Sequence, residues 1–298
     1  MLSIYDAFEK FRSRLELTPT EQADVISKHT EMKKYLYSKF SLEKALLTGS
    51  YARDTKTKPL KDVDIFCIFK SDSKKYRWEN PDKVLTDFTN ILSEKYGSSN
   101  VKPRRRSVQV KFDPPALVNG ITPDVLLSFD VVPAYTLNDD YEIPDSQLGK
   151  WIKSNPFIHE QESTDANKAY AKKWKPLVKM IKKWNQHAEK PVAPSFLLEV
   201  MALSIITPPV PPAINYPYEL KAFFATAAER ISETWEDPAR LGPPVSDQMD
   251  SSKVRVAVKA FREAEQAATR AIRLEKSGNT GGALKEWHNL FGSRFAMS

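Results

Sequence analysis

The sequence has a single cysteine and no long apolar run, and each absence excludes a class of protein. Cys67 is the only cysteine in 298 residues, which excludes an intrachain disulfide framework and fits a reducing cytoplasm. The most apolar stretch, FLLEVMALSII, is interrupted by Glu199 and is shorter than the ~20 apolar residues of a membrane helix. The opening MLSIYDAFEKF has no basic region followed by an apolar stretch, so we expect no secretory signal. These absences predict a cytoplasmic protein with no membrane partner.

Several familiar site motifs are also missing. The chain contains no GxxxxGK[ST], no GxGxxG and no GxSxG, which argues against P-loop, dinucleotide-binding and nucleophile-elbow chemistry. The four histidines (His29, His159, His187 and His288) lack the spacing of metal ligands. A catalytic site in this chain would therefore be built without these motifs and without a histidine metal centre.

Positive charge is in excess. The formal net charge is +7 and the isoelectric point is near 9.2, which favours polyanionic partners such as nucleic acid or nucleoside triphosphates but also serves solubility alone. The densest basic run is KPRRRS at 102–107. It is equally readable as the solvated start of a strand, and both interpretations stay open here.

The order of periodic segments predicts two lobes. Thr18, Pro19 and Glu21 form a capping box with proline in the first turn of a helix, and Asn80–Pro81 opens a second helix that ends at Gly97. Strands are predicted at ALLT, DVDIFCIF, RSVQVKF and DVLLSFDVVPAY, with DPPALVNG as a hairpin connection between the last two. From about residue 165 the pattern is helical, beginning with one helix over DANKAYAKKWKPLVKMIKKWNQHAEK and interrupted by a proline-rich loop at 207–217.

Two of these strands carry acidic residues among apolar ones. Asp62 and Asp64 lie at i and i+2 of DVDIFCIF, so they point to the same face, and Asp130 lies inside the other strand. If the two strands are neighbours, the three carboxylates converge on a site suited to Mg²⁺ or Mn²⁺. The alternative is a solvent-facing pair at a strand edge, with Asp130 bound to an arginine.

A small turn precedes the acids. Gly49 and Ser50 follow the strand ALLT, and eleven residues separate Ser50 from Asp62. Backbone N–H groups and a hydroxyl at such a turn suit phosphate oxygens. The spacing therefore combines a phosphate-binding turn with a platform for metal ions.

GSYARDTKTKPLKDVDIF together with FDVVPAY resembles the polymerase-β-type nucleotidyltransferases, and within them the bacterial CD-NTases of the SMODS type, related to cyclic GMP-AMP synthase and oligoadenylate synthase. LVKMIKKWNQ, PSFLLEVMAL, WEDPARLGPPV and ALKEWHNLFGSRF are similar to the helical lobe of that group. The resemblance implies an α+β fold: a polymerase-β-like catalytic lobe with N-terminal helices over 1–160, a helical lobe of the oligoadenylate-synthase type over 161–298, and an active site in the cleft between them.

The resemblance also implies residue roles. Asp62, Asp64 and Asp130 would bind two Mg²⁺ or Mn²⁺ ions, with Asp130 also receiving the proton of the attacking hydroxyl. Gly49 and Ser50 would hold the donor triphosphate. Three residues of the helical lobe would contact the same donor: Lys182 and Ser195 at the phosphates, and Phe196 against the base. Judged without the resemblance, Lys182 reads as a solvent-facing lysine, Ser195 as a helix cap and Phe196 as core.

The function implied is the condensation of nucleoside triphosphates, ATP among them, into a cyclic di- or trinucleotide second messenger with release of pyrophosphate. The implied setting is bacterial anti-phage signalling of the CBASS type, with a product-sensing effector protein, regulatory operon partners and no obligate nucleic acid. Two alternatives share the acids: a template-independent RNA or tRNA nucleotidyltransferase, which the KPRRR run would suit, and a protein-modifying nucleotidyltransferase.

Overall fold

The chain divides into two compact units in the computed structural model, which describes residues 2–60, 62–73, 75–112, 128–208 and 215–297. One unit is Leu17–Glu160, and the other combines Met1–Glu16 with Gln161–Ser298. From the sequence we placed the boundary between the two lobes at 160/161. The first sixteen residues differ: we grouped them with the catalytic lobe, whereas the structure groups them with the helical unit.

The Leu17–Glu160 unit is built on a mixed sheet with helices. Its elements are α2 (Pro19–Lys39), β1 (Leu42–Thr48), α3 (Gly49–Ala52), β2 (Asp62–Phe69), α4 (Pro81–Tyr96), β3 (Val101–Pro103), β4 (Val108–Lys111), β5 (Ser128–Leu137), β6 (Asp140–Asp145) and β7 (Lys150–Ser154), preceded in the chain by α1 (Ile4–Leu15) of the other unit. The capping box of Thr18 and Glu21 at α2 is confirmed, as are the Asn80 cap and the Gly97 end of α4.

The strands are ordered β1-β2-β5-β4-β3, and the second half of β5 continues through β6 to β7. β2 and β5 run parallel, whereas every other pair is antiparallel. The expectation that the strand carrying Asp130 lies beside DVDIFCIF is therefore confirmed. Asp64 is paired on both sides, with Thr48 and with Asp130, so the strand-edge alternative is wrong for Asp64, whereas Asp62 pairs with Ser128 and is exposed.

The two faces of the sheet are covered differently. Alternate residues of β2, beginning with Val63 and Ile65, pack with apolar residues of α2 and α4 in the larger core of this unit. On the opposite face, the acids come first and are followed by Phe66 and Ile68, which join a small apolar cluster with Ile143 and Ile152. β6 and β7, which supply the last two residues, were not predicted from the sequence.

Cys67 lies on the face that α2 and α4 cover. It is fully buried, and burial raises the pKa of its thiol far above the usual range. The prediction that Cys67 is buried is confirmed.

The second unit is helical. Besides α1 it contains α6 (Trp174–His187), α7 (Phe196–Ile205), α8 (Tyr216–Arg230), α9 (Ser251–Lys276) and α10 (Thr280–Phe291), with α5 (Pro156–Ala169) spanning the boundary between the units. Phe8 of α1 contacts Trp287 and Phe295 at ring-centroid distances of 5.0 and 5.1 Å, and Phe11 contacts Phe291 at 4.7 Å. These aromatic contacts explain why α1 belongs to the helical unit.

The single helix predicted over 165–190 is wrong, because the chain breaks between α5 and α6. Ala171 and Lys172 adopt positive φ angles of 49° and 60°, which a continuous right-handed helix does not allow. The side-chain oxygen of Asn167 accepts a hydrogen bond from the Lys175 N–H at 3.1 Å, which supports the start of α6.

Parts of some predictions fall outside the described residues: the hairpin connection at 113–120, the start of the strand at 124–127 and positions 209–214 of the proline-rich loop. Of the helices that the structure describes, none combines the length and the apolar character needed to cross a membrane.

Candidate active site

The acids occupy matched positions on two paired strands. Asp64 is in register with Asp130 across the parallel β2–β5 pair, and Asp62 is in register with Ser128. Residues in register lie on the same face of a sheet, as do residues at i and i+2. Asp62, Asp64 and Asp130 therefore project from one face, as the alternation in the sequence predicted.

The turn at Gly49 touches the acids directly. Thr48, at the end of β1, is in register with Asp64, and Gly49 follows with a φ of +64°. A Cβ atom placed on Gly49 would lie 1.7 Å from Oδ2 of Asp64, a distance at which two heavy atoms overlap. Position 49 thus requires glycine for two reasons: the backbone has a positive φ, and the Asp64 carboxylate fills the space that a side chain would need.

Short-range contacts shape the turn and hold one of the acids. α3 begins at Gly49, and the Ser50 carbonyl accepts from the N–H groups of Thr55 and Lys56 at 3.0 and 3.1 Å. Asp62 is exposed and its Oδ1 accepts from the Ser128 hydroxyl at 2.6 Å. Hydrogen bonds therefore fix the Gly49–Ser50 turn on one side of the site and orient the exposed Asp62 carboxylate at the start of β2.

Asp130 is the acid most affected by its surroundings. Its Oδ1 is buried and has no hydrogen-bond partner. Burial, followed by the charges of Asp64 and Asp62, raises the pKa of Asp130 to about 7, against a smaller lowering by Arg104. A carboxylate with this pKa is suited to accept a proton near neutral pH.

The three carboxylates are a chemically suitable set for divalent cations. They are hard oxygen donors on one face, and the orphaned Oδ1 of Asp130 is an acceptor that a cation would satisfy. Across the parts of the chain that the structure describes, no three His, Cys, Asp or Glu side chains already form a group able to hold a metal ion. The acids share one face of the sheet, and their oxygen atoms fit a divalent cation by residue type.

This arrangement predicts a pH-dependent stabilisation by Mg²⁺. In the folded protein Asp130 titrates at about 7 rather than at its ordinary 3.8, so ionising it opposes folding increasingly as pH rises from about 4 to about 7. We expect the thermal midpoint in EDTA to fall over this range. Millimolar Mg²⁺ should then raise the midpoint by about 5 °C at pH 8, where a hundredfold excess over Kd contributes about 2.7 kcal/mol, and by less at pH 5.

Differential scanning fluorimetry of the wild type and of Asp130→Asn measures this effect. The variant carries a neutral group of nearly the same shape, so it should lose both the extra pH slope and most of the response to Mg²⁺. An unchanged slope in Asp130→Asn would assign the titration to another group.

Two of the three arginines in KPRRRS are bound by one acid. Asp145 is fully buried. Its carboxylate accepts from Nε of Arg105 at 2.9 Å and from Nε of Arg106 at 2.8 Å, and also from the backbone N–H groups of Gln147 and Leu148. Burial alone would raise the pKa of Asp145, but these hydrogen bonds outweigh it and lower the pKa to about 2. Arg105 and Arg106 are therefore not free to form a basic patch, whereas Lys102 and Arg104 of the same run are exposed.

Lys182 lies in α6 of the helical unit. It is buried, and its Nζ donates to Oε1 of Glu199 in α7 at 2.9 Å. Glu199 is 1% exposed. The solvent-facing alternative for Lys182 is therefore wrong, and its predicted contact with a triphosphate remains a prediction. Glu199 was missed as a partner, although an acid inside the apolar run FLLEVMALSII was the available signal.

Ser195 and Phe196 stand at the start of α7. Ser195 is exposed and immediately precedes the helix, but its side chain makes no capping hydrogen bond. The alternative that its hydroxyl caps α7 is therefore wrong. Phe196 is half-buried and packs against the core of the helical unit. The contact of Ser195 with the donor phosphates and that of Phe196 with the donor base remain predictions.

Comparison with known proteins adds independent findings. A family model for the Second Messenger Oligonucleotide or Dinucleotide Synthetase domain matches residues 2–167. A cyclic AMP-AMP-AMP synthase of Acinetobacter sp. (strain ATCC 27244 / 9458) is 26% identical over 100% of this chain and 87% of the relative. A probable cyclic nucleotide synthase of Bacillus cereus (strain VD146) is 23% identical over 83% of this chain and 80% of the relative.

Solved structures agree on the fold. E. coli MS115-1 CdnC has been determined in a complex with HORMA-deltaN, with a TM-score of 0.72 and 20% identity over 98% of both chains. The same protein has been determined with ATP, with a TM-score of 0.72 and 18% identity over 99% of both chains. At these identities the likeness shows the fold, and it matches the α+β, polymerase-β-like architecture predicted from the sequence.

Proposed function

The chain belongs to the Second Messenger Oligonucleotide or Dinucleotide Synthetase domain family, the bacterial CD-NTases, and we propose that it joins nucleoside triphosphates at Asp62, Asp64 and Asp130 into a cyclic di- or trinucleotide. The family makes it a nucleotidyltransferase that synthesises cyclic oligonucleotides. One observation carries the choice of residues: the register of Asp64 with Asp130, with Gly49 packed against the Asp64 carboxylate.

The reaction assigns each of these groups a task. A ribose hydroxyl of the acceptor attacks the α-phosphorus of the donor, a new P–O bond forms, the α–β P–O bond breaks and pyrophosphate leaves. Asp130, in register with Asp64 on the neighbouring strand, takes the hydroxyl proton. The turn at Gly49 and Ser50 holds the donor phosphates through its N–H groups and hydroxyl.

Two Mg²⁺ or Mn²⁺ ions are the cofactors proposed here, held by Asp62, Asp64 and Asp130. When bound, such ions supply positive charge to the attacking and leaving oxygens of a phosphoryl transfer. The orphaned Oδ1 of Asp130 supports this assignment.

The helical unit is proposed to complete the donor site. Lys182 would neutralise the triphosphate, and because it is paired with Glu199, the phosphates would have to share or displace that carboxylate. Ser195 would contact the phosphates through its exposed hydroxyl, and Phe196 would lie against the donor base.

We propose ATP among the substrates, because the Acinetobacter relative is a cyclic AMP-AMP-AMP synthase and CdnC has been determined with ATP. We also propose a setting in cytoplasmic anti-phage signalling with an effector that senses the product. The CdnC complex with HORMA-deltaN supports a regulatory protein partner.

An RNA-directed nucleotidyltransferase is the weaker alternative. Its main support in the sequence was the KPRRR run, and two of the three arginines in that run, Arg105 and Arg106, are bound to Asp145. A polyanion would have to compete with a fully buried carboxylate for these two side chains.

Product analysis tests the proposal. The protein is incubated with all four nucleoside triphosphates and Mg²⁺ or Mn²⁺, without RNA or a partner protein, and the products are treated with phosphatase and resolved by mass spectrometry. We expect phosphatase-resistant cyclic di- or trinucleotides and pyrophosphate. Elongation that occurs only on added RNA, or nucleotide attached to protein, would contradict the proposal.

A further inference from the structure

Arg104 is the arginine of the basic run that Asp145 does not hold. It is exposed, and its Nη2 donates to Oε1 of Gln109 at 2.6 Å. The backbone N–H of Arg104 donates to the Ser107 carbonyl at 2.8 Å, which closes the tight connection between β3 and β4. Arg104 is thus directed onto the sheet by a specific contact, whereas an ordinary surface arginine extends into water.

Gln109 places this contact beside the acids. It is buried and is in register with Asp130 across the β4–β5 pair. One row of side chains therefore crosses the acid-bearing face of the sheet. From β1 to β3 the row contains Thr48, Asp64, Asp130, Gln109 and Lys102.

A second row runs parallel to the first. It contains Asp62, Ser128 and Lys111, which are in register on β2, β5 and β4. Lys102 and Lys111 are both exposed. The acids thus lie between two edges of different chemistry: the Gly49–Ser50 turn on the β1 side, and Lys102, Arg104 and Lys111 on the β4 side, which we call the basic edge.

A condensation of two nucleotides needs both edges. The donor and the acceptor each carry phosphates and must approach the acids from different directions, because one α-phosphorus and one ribose hydroxyl meet there. The proposed donor phosphates occupy the β1 side. The β4 side lies next to Asp130, the group that would take the acceptor's proton, so it is the side from which the acceptor hydroxyl would arrive.

We propose that Arg104, oriented by Gln109 and supported by Lys102 and Lys111, binds the 5′-phosphates of the acceptor nucleotide. The inference rests on the proposed function and goes beyond it by assigning the second nucleotide a binding residue. A guanidinium forms paired, charge-assisted hydrogen bonds with phosphate oxygens. Asp145 contributes indirectly: by holding Arg105 and Arg106, it fixes the connection from which Arg104 extends.

The test uses one coupling step in which each nucleotide has a single role. The donor is the 2′,3′-dideoxynucleoside triphosphate, which has no hydroxyl with which to accept. The acceptor is either the α,β-methylene triphosphate, which cannot donate, or the corresponding nucleoside, which has no phosphates. Adenine is the first base to use, replaced if product analysis with four nucleotides identifies another. Coupling is followed with Mg²⁺ for the wild type and Arg104→Gln.

For Arg104→Gln we expect the KM of the α,β-methylene triphosphate acceptor to rise about tenfold to a hundredfold, the range of one or two lost charge-assisted hydrogen bonds. Coupling to the nucleoside should change less than twofold, since it has no phosphate to lose. Arg104→Lys should restore part of the difference because it keeps the charge. Arg255→Gln, which removes an exposed arginine from α9, is the charge-matched control and should match the wild type.

Equal losses with both acceptors would overturn the inference and assign Arg104 a merely structural role, as would an unchanged KM. These outcomes leave the proposed function intact as long as the wild type makes its cyclic product. Failure of the wild type to couple any nucleotide would instead contradict the proposed function itself.

Discussion

Asp62→Asn/Asp64→Asn is expected to lower cyclic-oligonucleotide synthesis by at least about 10³-fold, equivalent to roughly 4 kcal/mol of transition-state stabilisation. The double variant keeps the shape of both side chains but removes two of the three negative charges on the acid-bearing face. Without those charges the site cannot hold the divalent cations proposed for it. The measurement is the rate of pyrophosphate release and of cyclic product formation, at saturating nucleotide and Mg²⁺.

The fold should survive this change. Asp62 and Asp64 both raise the pKa of Asp130 by repulsion, so removing them relieves the metal-free protein of unfavourable charge, and its thermal midpoint in EDTA should be unchanged or higher. Asp72→Asn, which alters an exposed acid just after β2, is the matched control and should retain activity within about twofold. Synthesis at the wild-type rate by the double variant would exclude Asp62 and Asp64 from the mechanism.

Gly49→Ala is expected to reduce synthesis by at least about a hundredfold. The new Cβ would lie 1.7 Å from Oδ2 of Asp64, so either the carboxylate or the turn must move by more than about 1 Å, an amount that disrupts a catalytic arrangement. The positive φ of +64° adds a backbone penalty of about 1–2 kcal/mol for a residue with a side chain.

Gly149→Ala separates these two effects. Gly149 has a φ of +60°, and a Cβ atom placed on it would meet nothing within 4 Å, so alanine there carries the backbone penalty alone. Both variants should lose similar stability from that source, whereas only Gly49→Ala should lose synthesis. If Gly149→Ala lost as much activity as Gly49→Ala, general destabilisation would account for the result and the contact with Asp64 would not.

Local patterns in the sequence were sufficient for the strand that carries the acids. DVDIFCIF has apolar residues on both faces, which is the pattern of a central strand, and β2 does lie between β1 and β5. The α2 cap was also predictable, because Thr18 and Glu21 are three residues apart and satisfy each other's backbone groups. In both cases the determining residues are neighbours in the sequence.

Of the features that were missed, one depends on residues that are distant in the sequence and another depends on backbone conformation. Asp145 is 40 residues from Arg105, so no local pattern marks the pair. The break between α5 and α6 was hidden because Tyr170 and Trp174 are both buried and continue a helical spacing. The break is visible in the positive φ angles of Ala171 and Lys172 and in the hydrogen bond from the Lys175 N–H to Asn167, neither of which an apolar pattern encodes.

The packing of α1 imposes an order on biosynthesis. Arg14 donates to the backbone carbonyl of Arg294, 280 residues away, and Phe8 and Phe11 pack against the aromatic residues near it. The Leu17–Glu160 unit is one uninterrupted segment and has all its own residues soon after translation begins. α1 meets α6 and Tyr216 earlier in synthesis, but the rings of Trp287, Phe291 and Phe295 that pack on Phe8 and Phe11 are made more than 250 residues after it. A premature stop before Phe291 would therefore remove both of the rings that pack on Phe11, those of Phe291 and Phe295, and leave that part of the apolar face of α1 uncovered.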